Sequence, residues 1–211
     1  MARITGISAS GRNPERRVVK VDGQTVVTLP VKVVSELGLR VDDVWDDALA
    51  QRVERARMND CVRRDALRRL ERRAMSRRRL ADKLRQKGYA DDTIAAVLDR
   101  LEQVGLLNDL DFGRALIREI TRVKPAGPRL LRDRLFKAGL AESTIAQLLA
   151  EVEPSNEAGT IEQAVTLARR RLATMSGLDA PTRRRRLWGV LARRGFDPDT
   201  IEQVMRQIDP A

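Results

Sequence analysis

The sequence predicts a mainly all-α protein. It reads as a tandem array of three three-helix repeats in an elongated, crescent arrangement, preceded by a small N-terminal cap of a β-hairpin and short helices. Three observations predict this. An apolar frame built round a glycine occurs three times. Each copy follows a further amphipathic stretch of helical period. The β-branched clusters beside a hairpin-turn dipeptide are confined to the first 30 residues.

The frame is clearest in Ser76–Leu101. Leu80, Leu84, Gly88, Tyr89, Thr93, Ile94, Val97 and Leu98 return as Leu131, Leu135, Gly139, Leu140, Thr144, Ile145, Leu148 and Leu149. They return again as Leu187, Leu191, Gly195, Phe196, Thr200, Ile201, Val204 and Met205. Fixed spacing over this distance marks stacked supersecondary units. Two leucines four apart give a short helix one apolar stripe. The glycine then suits a left-handed helix cap, a conformation that costs it nothing. The next helix starts two residues on, at Ala90, Ala141 or Asp197; Asp197-Pro198 supplies an N-cap acid and a proline at the first helical position. Tyr89, Leu140 and Phe196 lie five residues before Ile94, Ile145 and Ile201, the spacing of a hydrophobic staple that sets the angle between two helices.

Taken in order, residues 1–14 read as flexible and polar. Residues 16–29 form a hairpin about Asp22-Gly23, a strong turn signal. Residues 31–38 form a short helix closed by Gly38. Residues 42–57 form another, with Val44, Trp45, Ala48, Leu49 and Val53 on its apolar face. The repeats open with helices at 61–74, 110–123 and 158–174. The domains predicted are thus the cap at 1–60 and repeats at 61–109, 110–157 and 158–211. Pro, Gly and Ser cluster at 124–128, 153–158 and 176–181, which predicts linkers and lightly packed, flexible neighbours.

Lysine and arginine number 41 against 30 acids, a net charge of +11, and that balance points to an acidic or polyanionic partner. The excess is sorted by helix. The middle helices hold six basic residues and one acid (76–88), four and one (127–138), and six and none (182–194). The last helices each carry a net −3. Acids near helix N-termini explain part of this, but a basic stripe recurs with the repeat. A helix-turn-helix reading, with the second helix in the major groove, is opposed by that −3, which repels phosphate.

Without histidine and with Cys61 as the one cysteine, neither an internal disulfide nor a His/Cys metal site can be built. There is no phosphate-binding glycine loop and no general-base constellation. Asp42/Asp43 with Asp46/Asp47, and Asp109/Asp111, read as exposed helix and loop acids. These features predict a protein that is not an enzyme. No signal peptide or membrane span is visible, which predicts a cytoplasmic protein.

The residues also resemble a family. A-L-R-R-L-E-R-R at 66–73, S-R-R-R-L at 76–80, G-L-L-N-D-L-D-F-G at 105–113, K-P-A-G-P-R at 124–129 and R-R-L-W-G-V-L-A-R-R-G-F at 185–196 are similar to the RecX family, bacterial regulators of the RecA recombinase. R-I-T-G-I at 3–7 and V-D-G at 21–23 look like its longer members. Gly113 departs from the alanine more usual after Phe112. The resemblance implies an all-helical repeat array, without cofactor, that binds the RecA–DNA filament. It implies inhibition of filament extension, ATP hydrolysis, strand exchange and co-protease function, so modulating recombinational repair and the damage response. On both readings the contact falls on the basic stripe: Arg72, Arg73, Arg77, Arg78, Arg79, Lys83, Lys124, Arg129, Arg132, Arg170, Arg171, Arg183, Arg184, Arg185, Arg193 and Arg194. The partners expected are the RecA filament and, weakly and without sequence preference, single- or double-stranded DNA, with no membrane and with the protein as a monomer. The alternative is a non-specific nucleic-acid-binding helical repeat protein acting without RecA.

Overall fold

A computed structural model describes residues 1–152 and 157–208. It divides into two compact units, one of residues 1–74 and 80–106, the other of residues 75–79 and 107–211.

The first unit opens with an antiparallel sheet, β1 (Ile4–Ser10), β2 (Asn13–Val21) and β3 (Gln24–Pro30), in the order β1-β2-β3. Asp22 and Gly23 turn β2 into β3 with φ of 50° and 82°, as a hairpin loop that follows the strand twist requires. Residues 1–14, read as flexible from sequence, hold strand β1 and the start of β2 instead. One edge of β1 pairs with β2. Beyond its start, Ile4 N–H donates to Asp43 O and Trp45 N–H to Ala2 O. Hydrogen bonds on both sides order a stretch whose composition is polar, and Ile4 is fully buried beneath it.

Helix α1 (Val31–Leu37) ends at Gly38, φ 68°. Helix α2 (Asp47–Arg72) begins later than the sequence suggested, because Asp46 is its N-cap, accepting from Leu49 N–H at 2.7 Å. It then runs unbroken through the boundary placed at residue 60. Its first half, through Leu49 and Val53, packs on the core of the sheet, while Val62 and Ala66 are buried further along. Helices α3 (Arg77–Arg85) and α4 (Asp91–Gln103) follow. Asp65 of α2 accepts from Tyr89 Oη at 2.7 Å and also pairs with Lys87 and Arg68. The Lys87 hydrogen bond outweighs burial and holds the Asp65 carboxyl at about 2, while burial and the Asp65 charge push the Tyr89 phenol up to about 12.

The second unit holds α5 (Asp109–Thr121), α6 (Pro128–Lys137), α7 (Glu142–Val152), α8 (Glu157–Leu172), α9 (Ala180–Arg193) and α10 (Pro198–Ile208). Leu131, Leu135, Leu140, Ile145, Leu148 and Leu149 form one core; Leu187, Leu191, Phe196, Ile201, Val204 and Met205 form another with Ala164, Leu167 and Ala168. Gly88, Gly139 and Gly195 take φ of 85°, 86° and 82°, the left-handed caps their spacing called for. Val152 is instead exposed at 37%, one turn past the last core leucine. At Gly113 a Cβ would meet the Leu148 Cδ1 methyl; Leu148 fills the space that an alanine there would need.

Residues 124–128 are not a loose linker. Helix α6 has glycine at its N-cap and no side-chain cap, so its first N–H groups need other acceptors. Gly127 N–H donates to Arg194 O at 2.8 Å and Arg129 N–H to Gly195 O at 3.2 Å. Those carbonyls are themselves orphans at the end of α9. The two helix ends satisfy each other, and their dipoles meet with opposite sign. The same joint stands one repeat earlier. Ser76, fully buried at the equivalent position, donates from Oγ to Ala138 O at 2.7 Å, and Arg79 donates to Lys137 O. Arg77 N–H is accepted by the Asp109 carboxylate at 2.7 Å. The equivalent residue in the third repeat is Arg183, whose N–H donates to Asp179 O within its own helix. The linker expected at 153–158 lies at 153–156 outside the described residues.

These contacts grade the glycines. A Cβ on Gly88 meets nothing within 4 Å, whereas one on Gly195 would lie 2.5 Å from Leu130 Cβ. Gly88→Ala should cost about 1 kcal/mol, the strain of positive φ alone. Gly195→Ala adds overpacking and should cost about 2–4 kcal/mol. Urea denaturation of both variants checks this; equal losses would remove the joint from the account.

Candidate functional site

Four of the predicted cations converge on one cavity of about 190 Å³ in the second unit. Lys124 comes from the loop before α6, Arg171 from the last turn of α8, Arg193 from the last turn of α9 and Arg194 from its C-cap; Leu167 and Val190 complete the lining. The joint fixes one of them. Arg194 donates from Nε to Pro125 O at 2.7 Å and from Nη2 to Lys124 O at 2.5 Å. Burial, helped by the nearby charge of Arg134, lowers its pKa from the ordinary arginine value, though not enough to make a guanidinium neutral. Among the described residues no carboxylate lines the cavity. The C-terminal ends of α8 and α9 offer partial charges of roughly −0.5 each, too little to balance four full positive charges.

A second groove of about 200 Å³, floored by Leu172, Leu187, Met205 and Ile208, has Arg183 and Arg184 at its edge. Arg78, Arg170 and Arg185 are exposed on α3, α8 and α9, as is Arg129 on α6. In the first unit, Arg72 ends α2, Arg73 caps it, and Lys83 on α3 donates to Gln86 at 3.3 Å. Three more predicted contact residues make bonds within the chain. Arg79 holds the Lys137 carbonyl, Arg132 pairs with Glu142, and Arg77 presents its backbone N–H to Asp109.

Two residues were missed by the sequence reading. Arg186, exposed, shares a helix face with Val190 and Arg193 at the i, i+4, i+7 spacing. It was the last of a four-arginine run, and that spacing could have found it. Phe136 is 59% exposed, with Arg132 and Arg129 one and two turns before it on the same face. It immediately follows the frame residue Leu135, where the other repeats have Arg85 and Ala192, so an aromatic off the frame was the available signal. The acid pairs are structural. Asp43 accepts from Arg40 N–H, Asp46 caps α2, and Asp111 pairs with Arg114. Among the described residues no cluster of three His, Cys, Asp or Glu side chains could hold a metal, and no helix is long and apolar enough to cross a membrane.

Models of the RecX first and third three-helix domains match residues 63–101 and 160–205. The chain is 36% identical over 155 residues to the regulatory protein RecX of Prosthecochloris aestuarii, spanning 72% of this chain and 98% of that one. This chain belongs to the RecX family. It is also 39% identical over 141 residues to the RecX of Mycolicibacterium smegmatis, covering 66% of this chain and 74% of that one. The RecX of Clostridium botulinum is 26% identical over 210 residues, 98% of this chain and 96% of its own. A crystal structure of regulatory protein RecX superposes with a TM-score of 0.81 at 19% identity over 97% of this chain and 98% of that one. That of RecX from Lactobacillus salivarius gives 0.64 at 21% over 73% and 98%. These two establish the fold. The family is one of regulatory proteins.

Neighbouring arginines on α3 should therefore behave differently. Arg79→Glu breaks a bond to a helix-end carbonyl and should cost about 1–2 kcal/mol. Arg78→Glu, at an exposed site, should stay within about 0.5 kcal/mol. Thermal melts of the two variants separate them; equal stability would make Arg79 a surface charge like its neighbour.

Proposed function

We propose that this chain binds the RecA–DNA filament and inhibits RecA: filament extension, ATP hydrolysis, strand exchange and co-protease function. On this reading it is a monomeric, non-enzymatic regulator of recombinational repair and the damage response, acting in the cytoplasm and needing no cofactor. The observation that carries the reading is the gathering of cations in a RecX-family chain: four round one cavity, without an acid partner among the described residues, and two more lining a second groove. A filament of protein and nucleic acid offers a dense array of negative groups, and charge complementarity steers association with it. Arg78, Arg129, Arg170 and Arg185 add exposed positive charge to the same unit, and Arg72, Arg73 and Lys83 carry positive charge in the first. Acidic last helices leave the middle helices as the contact faces.

The test is RecA ATP hydrolysis on single-stranded DNA, titrated with folded variants. Replacing Arg184 and Arg185, both exposed, with glutamate should raise the concentration for half-inhibition about tenfold, the equivalent of about 1.4 kcal/mol. Lys20→Glu with Arg206→Glu removes the same net charge elsewhere and should leave inhibition unchanged. Wild-type inhibition should also weaken as salt rises. Equal effects of the two pairs would reduce the contact to net charge alone. No inhibition by the wild-type protein, with DNA binding retained, would favour a nucleic-acid-binding protein independent of RecA.

A further inference from the structure

We infer that the cavity lined by Lys124, Arg171, Arg193 and Arg194 is a seat for one backbone phosphate of a nucleic-acid strand, and that a phosphate there clamps the joint between α6 and α9. The inference deepens the proposed function and rests on it only for the identity of the larger assembly.

Exposed cations commonly find carboxylates: Arg114 takes Glu151 bidentately at 2.8 Å, and Arg57 takes Glu54. None of the four cavity cations has an acid partner among the described residues. They converge from a loop and two helix ends onto about 190 Å³, so their mutual repulsion is built into the fold. An anion is the group that relieves it. Arg194 is already oriented, its Nε and Nη2 bound to the Pro125 and Lys124 carbonyls. No hydrogen bond among the described residues occupies its Nη1. A guanidinium held in this way loses little rotamer freedom on binding, which favours a ligand with several fixed acceptors.

Donors approaching from three elements suit a tetrahedral oxyanion better than a planar carboxylate, which two parallel N–H groups of one arginine already satisfy. The remaining wall, Leu167 and Val190, is apolar. It offers surface to a sugar and no acceptor to compete for the cations. Arg186, a turn from Val190 on the same face as Arg193, stands where the next phosphate of a strand would pass. Helix-sequence readout has no part in this contact, because phosphates position a strand without specifying it.

The clamp follows from connectivity. Lys124 belongs to the chain entering α6, while Arg171, Arg193 and Arg194 belong to α8 and α9. An anion bridging them ties the same elements that Gly127 N–H and Arg194 O already join at 2.8 Å. Binding and joint stability are then linked, and a ligand that prefers the closed joint raises the melting temperature of the second unit.

The experiment uses the full chain without RecA. Melting is followed at constant ionic strength with added inorganic phosphate or chloride, and affinity is measured for a fluorescent twelve-residue oligothymidylate and for a polyglutamate of equal charge. The double variant Arg171→Gln, Arg193→Gln removes two of the four cations but neither bond made by Arg194. The wild type should be stabilised by phosphate over chloride and should bind the oligonucleotide at least tenfold more tightly than polyglutamate. The double variant should melt like the wild type in chloride, lose the phosphate stabilisation, and bind the oligonucleotide about tenfold or more weakly. Arg100→Gln with Arg206→Gln, outside the cavity, should do neither. Equal binding of polyglutamate and oligonucleotide would overturn the phosphate assignment in favour of an acidic protein partner. Undiminished phosphate stabilisation in the Arg171, Arg193 variant would overturn the cavity as the seat. Neither result depends on RecA inhibition, so the two proposals fail separately.

Discussion

Helix α6 can begin where it does because a neighbouring glycine turn supplies the acceptors its first residues lack. Gly127 N–H and Arg129 N–H reach the carbonyls of Arg194 and Gly195. That approach is close: a Cβ on Gly127 would come 2.6 Å from Phe196 N. The constraint explains two features together. The frame glycine is needed for its positive φ and, at Gly195, also for its lack of a side chain. The residue opposite must be small or a hydrogen-bond donor, and it is Ser76 in one joint and Gly127 in the other. In the third repeat Arg183 occupies that place; it is too large to enter such a joint, and α9 is capped instead by Asp179.

The joint also accounts for the cationic cavity. Arginines at helix C-termini are ordinary, since they complement the dipole. Here the end of α9 is already engaged by the start of α6, and Arg194 is turned back onto the carbonyls of Lys124 and Pro125. Lys124 is brought up to Arg171 and Arg193 in the process. The same interaction that holds two repeats together therefore concentrates positive charge with no acid partner among the described residues.

Much of the fold could be read from the chain because its signals are local. Leucine spacing, glycine caps and the Asp22-Gly23 turn each act within a few residues, and each is where the pattern placed it. The failures share a different cause. Strand β1 depends on partners at Val21 and Asp43, so its polar composition misled. Helix α2 runs from 47 to 72 without a glycine or proline, a continuity that was visible but was overridden by treating cap and repeat as separate. The segment at 124–128 has the composition of a linker, and only the carbonyls of Arg194 and Gly195, distant in sequence, make it a packed joint. The candidate site shows the same limit. Sixteen cations were chosen by type and helix, yet which of them meet at one cavity, and which, like Arg79 and Arg132, hold the fold, depends on tertiary contacts.

The central claim is that the start of α6 and the end of α9 form one closed joint. Native-state amide hydrogen exchange of Gly127 and Arg129 tests it most directly, because these N–H groups have no acceptor within their own helix. If the joint is closed, both exchange as slowly as the interior amides of Leu135 and Leu191, through the same cooperative opening. Exchange as fast as that of the exposed loop at Gly177, with Leu135 and Leu191 still protected, would contradict the account.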